Sequence, residues 1–275
     1  MLTVSRLLGA AAAAGLTCLA AQPALAGKIF LTGHDPDFHA QISGGAQNLL
    51  TAGLNYVTSG AYADSTKKFL WVESFKSPTS GHRVGELGLT SIGLTLGTHF
   101  DWVNAAGLAT VVFSNYEAIA IASSYGGMLT RDELDGLIAR SADIATYVNA
   151  GGGLLALPEC APASGFCLDD TLGASPSLFG FLPVVVSSVA TTAPYALTAA
   201  GSALFPTLTN ADMNDPTHNS FGVVGGLTVV DTDASGVATT LAGNVRITPG
   251  GFTPEPGSLA LAGLGLLGLM LHRRR

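Results

Sequence analysis

Seven residues near the start of the chain, Gly33-His34-Asp35-Pro36-Asp37-Phe38-His39, hold two imidazoles and two carboxylates. Such a set can bind a divalent metal through ring nitrogens and carboxylate oxygens, or pass protons near neutral pH. The plainer use is local, with aspartates capping the next helix and histidines bonding within the loop. A second polar stretch, Asn210 to Ser220 (NADMNDPTHNS), offers Asp212, Asp215 and His218 to the same pocket. A hydrolase using His34, Asp35, Asp37, His39 and His218, with or without a metal, is therefore one expectation. The other reading of Asn210 to Ser220 is turn chemistry from Asn, Asp and Pro. His82 and His99 stand alone and read as loop histidines.

A third candidate is Gly151-Gly152-Gly153-Leu154-Leu155-Ala156-Leu157-Pro158-Glu159-Cys160, a glycine turn, an apolar strand, a sharp turn and a cysteine. Glu159, at a strand end, is a candidate general acid or base. Cys160 and Cys167 are the two cysteines beyond Cys18, with APASGF between them. In an exported chain that pair reads as a disulfide in preference to a metal site, and the short loop closes easily.

These candidates need elements to position them. Lys28 to Gly33 reads as a first strand, Gly44 to Tyr56 as a helix through Leu49, Leu50, Leu54 and Val57, and Phe69 to Val72 as a second strand. Val84 to Leu94 reads as a glycine-weakened helix, and Ala109–Phe113 and Ala118–Ala122 as buried strands. Thr130-Arg131-Asp132-Glu133 is a capping box opening an amphipathic helix through Leu134, Leu137, Ile138, Ile144 and Val148. That helix stops at Asn149 to Gly153, where glycine permits a left-handed cap, and Leu154 to Leu157 follows as a strand apolar on both faces. The rhythm predicts an α/β fold with a doubly wound, mostly parallel sheet, flavodoxin-like in kind. Leu182–Val189 and Leu227–Val230 read as further strands. A turn over Asp231–Gly236 then leads to Val237–Leu241, an antiparallel hairpin added at the sheet's edge. The polar candidates stand in loops after strands, where α/β sheets hold ligands.

Both ends of the chain read as export machinery. Residues 1–26 carry Arg6, an apolar stretch from Leu7 to Leu19 and the small-x-small site Ala24-Leu25-Ala26, which predicts a signal helix cut before Gly27. Residues 27–250 form the body, and 251–275 form a linker, an apolar run from Ser258 to Leu271 and a terminal Arg273-Arg274-Arg275. That run is short for a transmembrane helix, which takes about 17 to 25 residues, and the arginines should stay cytoplasmic. Between Gly27 and Thr253 eight Lys and Arg stand against eighteen Asp and Glu. That balance, with no basic stripe, argues against nucleic acid as a partner.

The order Pro254-Glu255-Pro256, short apolar helix, arginine cluster resembles the PEP-CTERM sorting signal of Gram-negative bacteria. The resemblance implies that a membrane-embedded exosortase, an enzyme similar to a cysteine transpeptidase, recognises the tripeptide and processes the tail at the inner membrane. The carrier is then released or attached at the cell surface, commonly in species that make exopolysaccharide and biofilm, which makes extracellular polysaccharide a partner to consider. The prolines hold the recognition site outside any helix. Separately, the stretch from Lys28 to Cys160 is similar to class I glutamine amidotransferase-like and ThuA-like domains. That likeness implies Cys160 as nucleophile and His218 as base. The elbow departs from the family pattern, since Pro158 and Pro162 replace its glycines, so a non-catalytic binding domain is the leading expectation.

Overall fold

The computed structural model describes residues 26–59, 67–75, 85–124, 129–158, 179–182, 186–189, 191–214 and 219–247. Four strands carry the parallel core: β1 (Lys28–Thr32), β2 (Phe69–Val72), β4 (Ala118–Ile121) and β5 (Gly153–Ala156). Each sends alternate side chains to opposite faces of the sheet. Ile29, Leu31, Leu70, Val72, Ile119, Ile121 and Leu154 lie on one face, and Phe30, Phe69, Trp71, Ala120 and Leu155 on the other. Both faces are buried, which is why these strands read as unbroken apolar runs.

Helices cover the two faces. On one lie α2 (Gly44–Val57) and α3 (Glu86–Ser91), through Leu49, Leu50, Leu54 and Leu89. On the other lie α5 (Arg131–Ala139) and α6 (Ser141–Asn149), through Leu134, Leu137, Ile144 and Val148. Short helices complete the layers: α1 (Pro36–His39), α4 (Ala105–Leu108), α7 (Ala199–Leu204) and α8 (Asn210–Met213). The expected α/β architecture is therefore present, with helices on both sides of a mixed sheet.

The parallel strands run in the order β3-β2-β4-β5-β1, with β3 (Phe100–Val103) at the edge. β10 (Ala238–Asn244) lies antiparallel against β1, from Lys28 opposite Asn244 to Thr32 opposite Thr240. β9 (Thr228–Thr232) pairs with β10 as the expected hairpin. Three further strands extend this antiparallel part: β8 (Ser220–Val224), β6 (Val186–Val189) and the two-residue β7 (Ala196–Leu197). The carboxyl ends of the parallel strands point to one pole of the body, called here the carboxyl pole, and their first residues to the amino pole.

Three expectations need correction, and one strand is added. Ala109–Phe113 is not a strand: it is a turn leading into a single 3-10 turn, Phe113–Asn115, with the Thr110 and Val111 amides bonded to the Gly107 carbonyl. The edge strand is Phe100–Val103 instead, where Asp101 breaks the apolar pattern because its carboxylate is taken by Lys68 Nζ at 2.8 Å. The long helix from Thr130 to Asn149 is jointed at Arg140. That guanidinium donates to the Leu108 and Val111 carbonyls, 2.7 Å each, and lies 4.1 Å from the Phe113 ring centre. Asp231 belongs to β9 and not to a turn. The turn itself is held by Asp233, whose Oδ1 accepts from the Ser235 and Val237 amides at 2.9 Å each.

The stop after α6 is as read. Gly151 has φ +101°, its amide donates to the Val148 carbonyl at 2.9 Å, and the Gly152 amide donates to the Tyr147 carbonyl at 3.0 Å. Those two bonds form a Schellman motif, whose left-handed residue is costly for any side chain with a Cβ. No described helix is long and apolar enough to cross a membrane. The signal stretch, from its start to residue 25, and the tail, 248–275, lie outside the described residues.

Candidate functional site

β1 ends at Thr32, and the polar segment begins where the next residue has no side chain. A Cβ at Gly33 would stand 1.8 Å from the Asn219 carbonyl oxygen, so glycine lets the two backbones meet. That contact sets Asn219, just before β8, at the carboxyl end of β1. His34 then turns inward. Its Nε2 lies 3.2 Å from Asp231 Oδ2, and both residues are fully buried. The Thr239 hydroxyl donates to the same carboxylate oxygen at 2.6 Å, and Tyr195 packs its ring edge-on to the imidazole at 5.3 Å. Thr32 and Thr240 join hydroxyls at 2.9 Å beside them. One loop of the parallel half is thus tied to two strands of the antiparallel half.

The rest of the segment forms α1, with Pro36 in its first turn. His39 Nε2 returns to Asp35 Oδ2 at 3.3 Å, a pair four residues apart on one short helix. Asp37 points into the protein. Its Oδ2 accepts from the Ser123 amide at 2.8 Å, just past β4, and its Oδ1 from the Phe38 amide at 3.2 Å. Past β2, Glu73 is equally buried. Its Oε2 accepts from the Trp71 indole at 3.0 Å and from the Gly85 amide at 2.9 Å. Asp35, Asp37 and Glu73 therefore gather at the carboxyl ends of β1 and β2, with Ser74, Ser123 and Ser124 buried on the loops beside them.

Burial sets the charge state of this group. It pushes Asp37 up to about 7 against the Ser123 hydrogen bonds that favour the anion, and the Asp35 carboxylate adds to the rise. Burial also pushes Glu73 up to about 8, with a further push from Asp37, against the Trp71 and Gly85 donors. Two carboxyls that resist ionisation side by side titrate as a pair. Such a pair could exchange a proton at neutral pH, but each member is also braced by donors from a neighbouring element.

The histidines and aspartates of Gly33–His39 are thus close in space but do not converge on one point. His34 faces Asp231, His39 faces Asp35, and Asp37 faces Ser123. Among the described residues no group of three or more His, Cys, Asp or Glu side chains could hold a metal ion. Asp212 joins neither: it takes Asn48 Nδ2 on α2 at 2.9 Å and the Thr209 amide at 2.7 Å, closing the capping box of α8. Burial raises its pKa, but these hydrogen bonds outweigh that and hold it below the ordinary carboxylate value. His99 accepts the Thr95 amide in a local turn, at 2.9 Å. His82, Glu159, Cys160, Cys167, Asp215 and His218 lie outside the described residues, as do Pro254, Glu255, Pro256 and the three terminal arginines.

Four polar residues of the cluster escape the sequence reading: Glu73, Ser123, Asn219 and Asp231. Two carried a usable signal. Glu73-Ser74 and Ser123-Ser124 each follow close on an apolar strand, FLWV and AIAI, at the end where α/β sheets hold polar groups. Asp231 carried none, because its partner His34 is distant in sequence. The Asn219 side-chain carboxamide is buried and has no hydrogen-bond partner among the described residues.

A cleft of about 690 Å³ at the amino pole is lined by Thr58, Ser59, Lys67, Glu117, Tyr147 and Gly151, among others. A smaller one of about 400 Å³ runs beside it, between Val111–Ser114 and Arg140. Neither touches the acidic cluster. Tyr147, between the two clefts, has its pKa raised by burial and by the charge of Glu117.

Residues 252–275 match the family model described as the PEP-CTERM protein-sorting motif. No curated protein and no solved structure matches the chain. The carboxy-terminal segment is therefore a PEP-CTERM sorting motif, the mark of a protein sent to an exosortase.

Proposed function

We propose that this chain is exported by a Gram-negative cell, sorted through its tail by an exosortase, and then works at the cell surface or outside as a binding module. The observation that carries the sorting half is the motif at residues 252–275, with Pro254-Glu255-Pro256, the apolar run and the arginines in order. The apolar run parks the substrate in the inner membrane, while the prolines keep the tripeptide extended for the enzyme. The signal-like start, with its cut before Gly27, supplies the route of entry.

For the body, a binding role is supported by the pairing at the carboxyl pole. His34 spends its ring nitrogen on β9 and Asp37 its carboxylate on the loop after β4, while Asp35 and His39 pair with each other across α1, which braces that segment against the sheet. An amidotransferase-like ancestry for the body rests on the strand and helix order from β1 to β5. Extracellular polysaccharide is the ligand class that the exported setting suggests. One observation favours the rival reading of an envelope hydrolase: Asp37 and Glu73 titrate near neutrality at the pole where such sheets act.

Replacing Pro254, Glu255 and Pro256 by alanine tests the sorting half. Full-length protein should accumulate in the membrane fraction and the shortened form should vanish; processing at the parent's rate would overturn the reading. Metal analysis of the purified protein before and after chelation separates the two readings of the body. Stoichiometric metal would favour the hydrolase.

A further inference from the structure

The two ends of the body are fastened at one place. The Gly27 amide donates to the Val148 carbonyl at 2.7 Å, in the last turn of α6. The next residue of that helix, Asn149, grips the other end with both side-chain atoms. Its Oδ1 accepts from the Ile247 amide at 2.8 Å and its Nδ2 donates to the Ile247 carbonyl at 2.5 Å. Asn244 adds a bond to the Ala26 carbonyl at 3.0 Å. Chain toward the signal stretch and chain toward the sorting tail thus both leave from the amino pole, opposite the buried acids.

Charge is sorted the same way. Of the described Lys and Arg, four lie at this pole: Lys28 opens β1, Lys67 and Lys68 precede β2, and Arg246 follows β10. The others, Arg131 and Arg140, belong to α5 and the joint after it. Lys68 is paired with Asp101, Glu117 stands at the same pole, and beside the second cleft Arg140 is paired with Asp143. A cut before Gly27 would add an α-ammonium at the same spot. The carboxyl pole instead holds the buried carboxyls Asp35, Asp37, Glu73, Asp231 and Asp233, with Glu86 and Asp132 in the first turns of α3 and α5. Four of the six described cations of a strongly acidic body thus stand where its membrane-directed segments depart.

We infer that the amino pole is the surface the body lays against anionic lipid headgroups while the tail is uncut, so that the carboxyl pole faces away. The inference rests on the reading of 252–275 as a membrane-inserted sorting tail. Ten residues, 248–257, separate Ile247 from the apolar run, a reach of about 35 Å at most. The tether keeps the body close, and cations within a Debye length of an anionic surface then choose which side turns down. The cleft lined in part by Lys67 and Ser59 opens on this same side.

The test uses the chain from Gly27 to Arg275, reconstituted into phosphatidylcholine vesicles with and without phosphatidylglycerol. Cys160 and Cys167 are replaced by serine. Single cysteines are placed at Ser114→Cys, exposed at the amino pole, and Ile42→Cys, 74 % exposed at the carboxyl pole. A bulky maleimide that cannot cross the bilayer reads access, and flotation reads insertion of the tail. In phosphatidylglycerol vesicles the amino-pole site should react about tenfold more slowly than the carboxyl-pole site. Adding Lys28→Glu, Lys67→Glu and Arg246→Glu should restore its rate without changing flotation. Flotation with equal rates at both sites would overturn this inference and leave the sorting reading standing. Failure to float would remove the tail reading and this inference with it.

Discussion

Glu73→Gln isolates the energetic consequence of the buried carboxyl pair. In the folded protein burial penalises the anion and pushes Glu73 from its ordinary 4.5 up to about 8. A carboxyl raised on folding binds its proton more tightly when folded than when unfolded. The folded state is therefore favoured fully below pH 4.5, and that advantage is lost as pH rises towards 8 and beyond. At about 1.36 kcal/mol per unit, the loss from pH 5 to pH 9 comes to about 4 kcal/mol from this residue alone. Glutamine fits the site, since its carbonyl oxygen can accept from the Trp71 indole and the Gly85 amide where Oε2 does now. It carries no ionisable proton. Urea unfolding of the exported protein and of Glu73→Gln at pH 5 and pH 9 should therefore diverge, with the variant gaining about 4 kcal/mol on its parent across that range. If the two lose stability in parallel, Glu73 is ionised in the folded protein and the buried-pair reasoning is wrong.

Other outcomes follow from single contacts. Asp231→Ala should cost about 3 kcal/mol in chemical denaturation, because it strands the buried His34 ring and the Thr239 hydroxyl; Asp231→Asn should cost less, since one acceptor survives. Gly151→Ala should cost about 1 kcal/mol through its φ of +101°, while Gly136→Ala, inside α5, should cost less. Cys160 and Cys167 should run as one linked peptide in a non-reducing map of exported protein, and two free thiols would refute the disulfide.

Local rules were enough wherever a residue's neighbours in sequence are also its neighbours in space. The capping box at Thr130 is there, with the Glu133 carboxylate accepting from the Thr130 amide at 3.1 Å and from its hydroxyl. The Schellman stop at Gly151 and the β9–β10 hairpin are present for the same reason. The misreadings are of the opposite kind. Val111 and Phe113 look like strand residues but serve to seat Arg140, and Asp101 hides an edge strand because Lys68 and Tyr116 meet its carboxylate from elsewhere.

The candidate site divides along that line too. That Gly33–His39 would be polar, follow a strand and sit at the ligand end of an α/β sheet was legible from residue types and order. Which atom each side chain would face was not. His34 meets Asp231 across 197 positions of sequence, and Asp37 meets Ser123 across 86, because sheet order places those loops together. Sequence by itself determined the address of this protein, since a sorting tail is read as a linear segment with its own tripeptide, apolar run and charges. Only tertiary structure decided that the four presumed ligands pair off separately, that Glu73 joins them, and that both ends of the body leave from the pole opposite. Burial, strand order and the meeting of distant carboxyls are properties of the packed chain, and no local pattern encodes them.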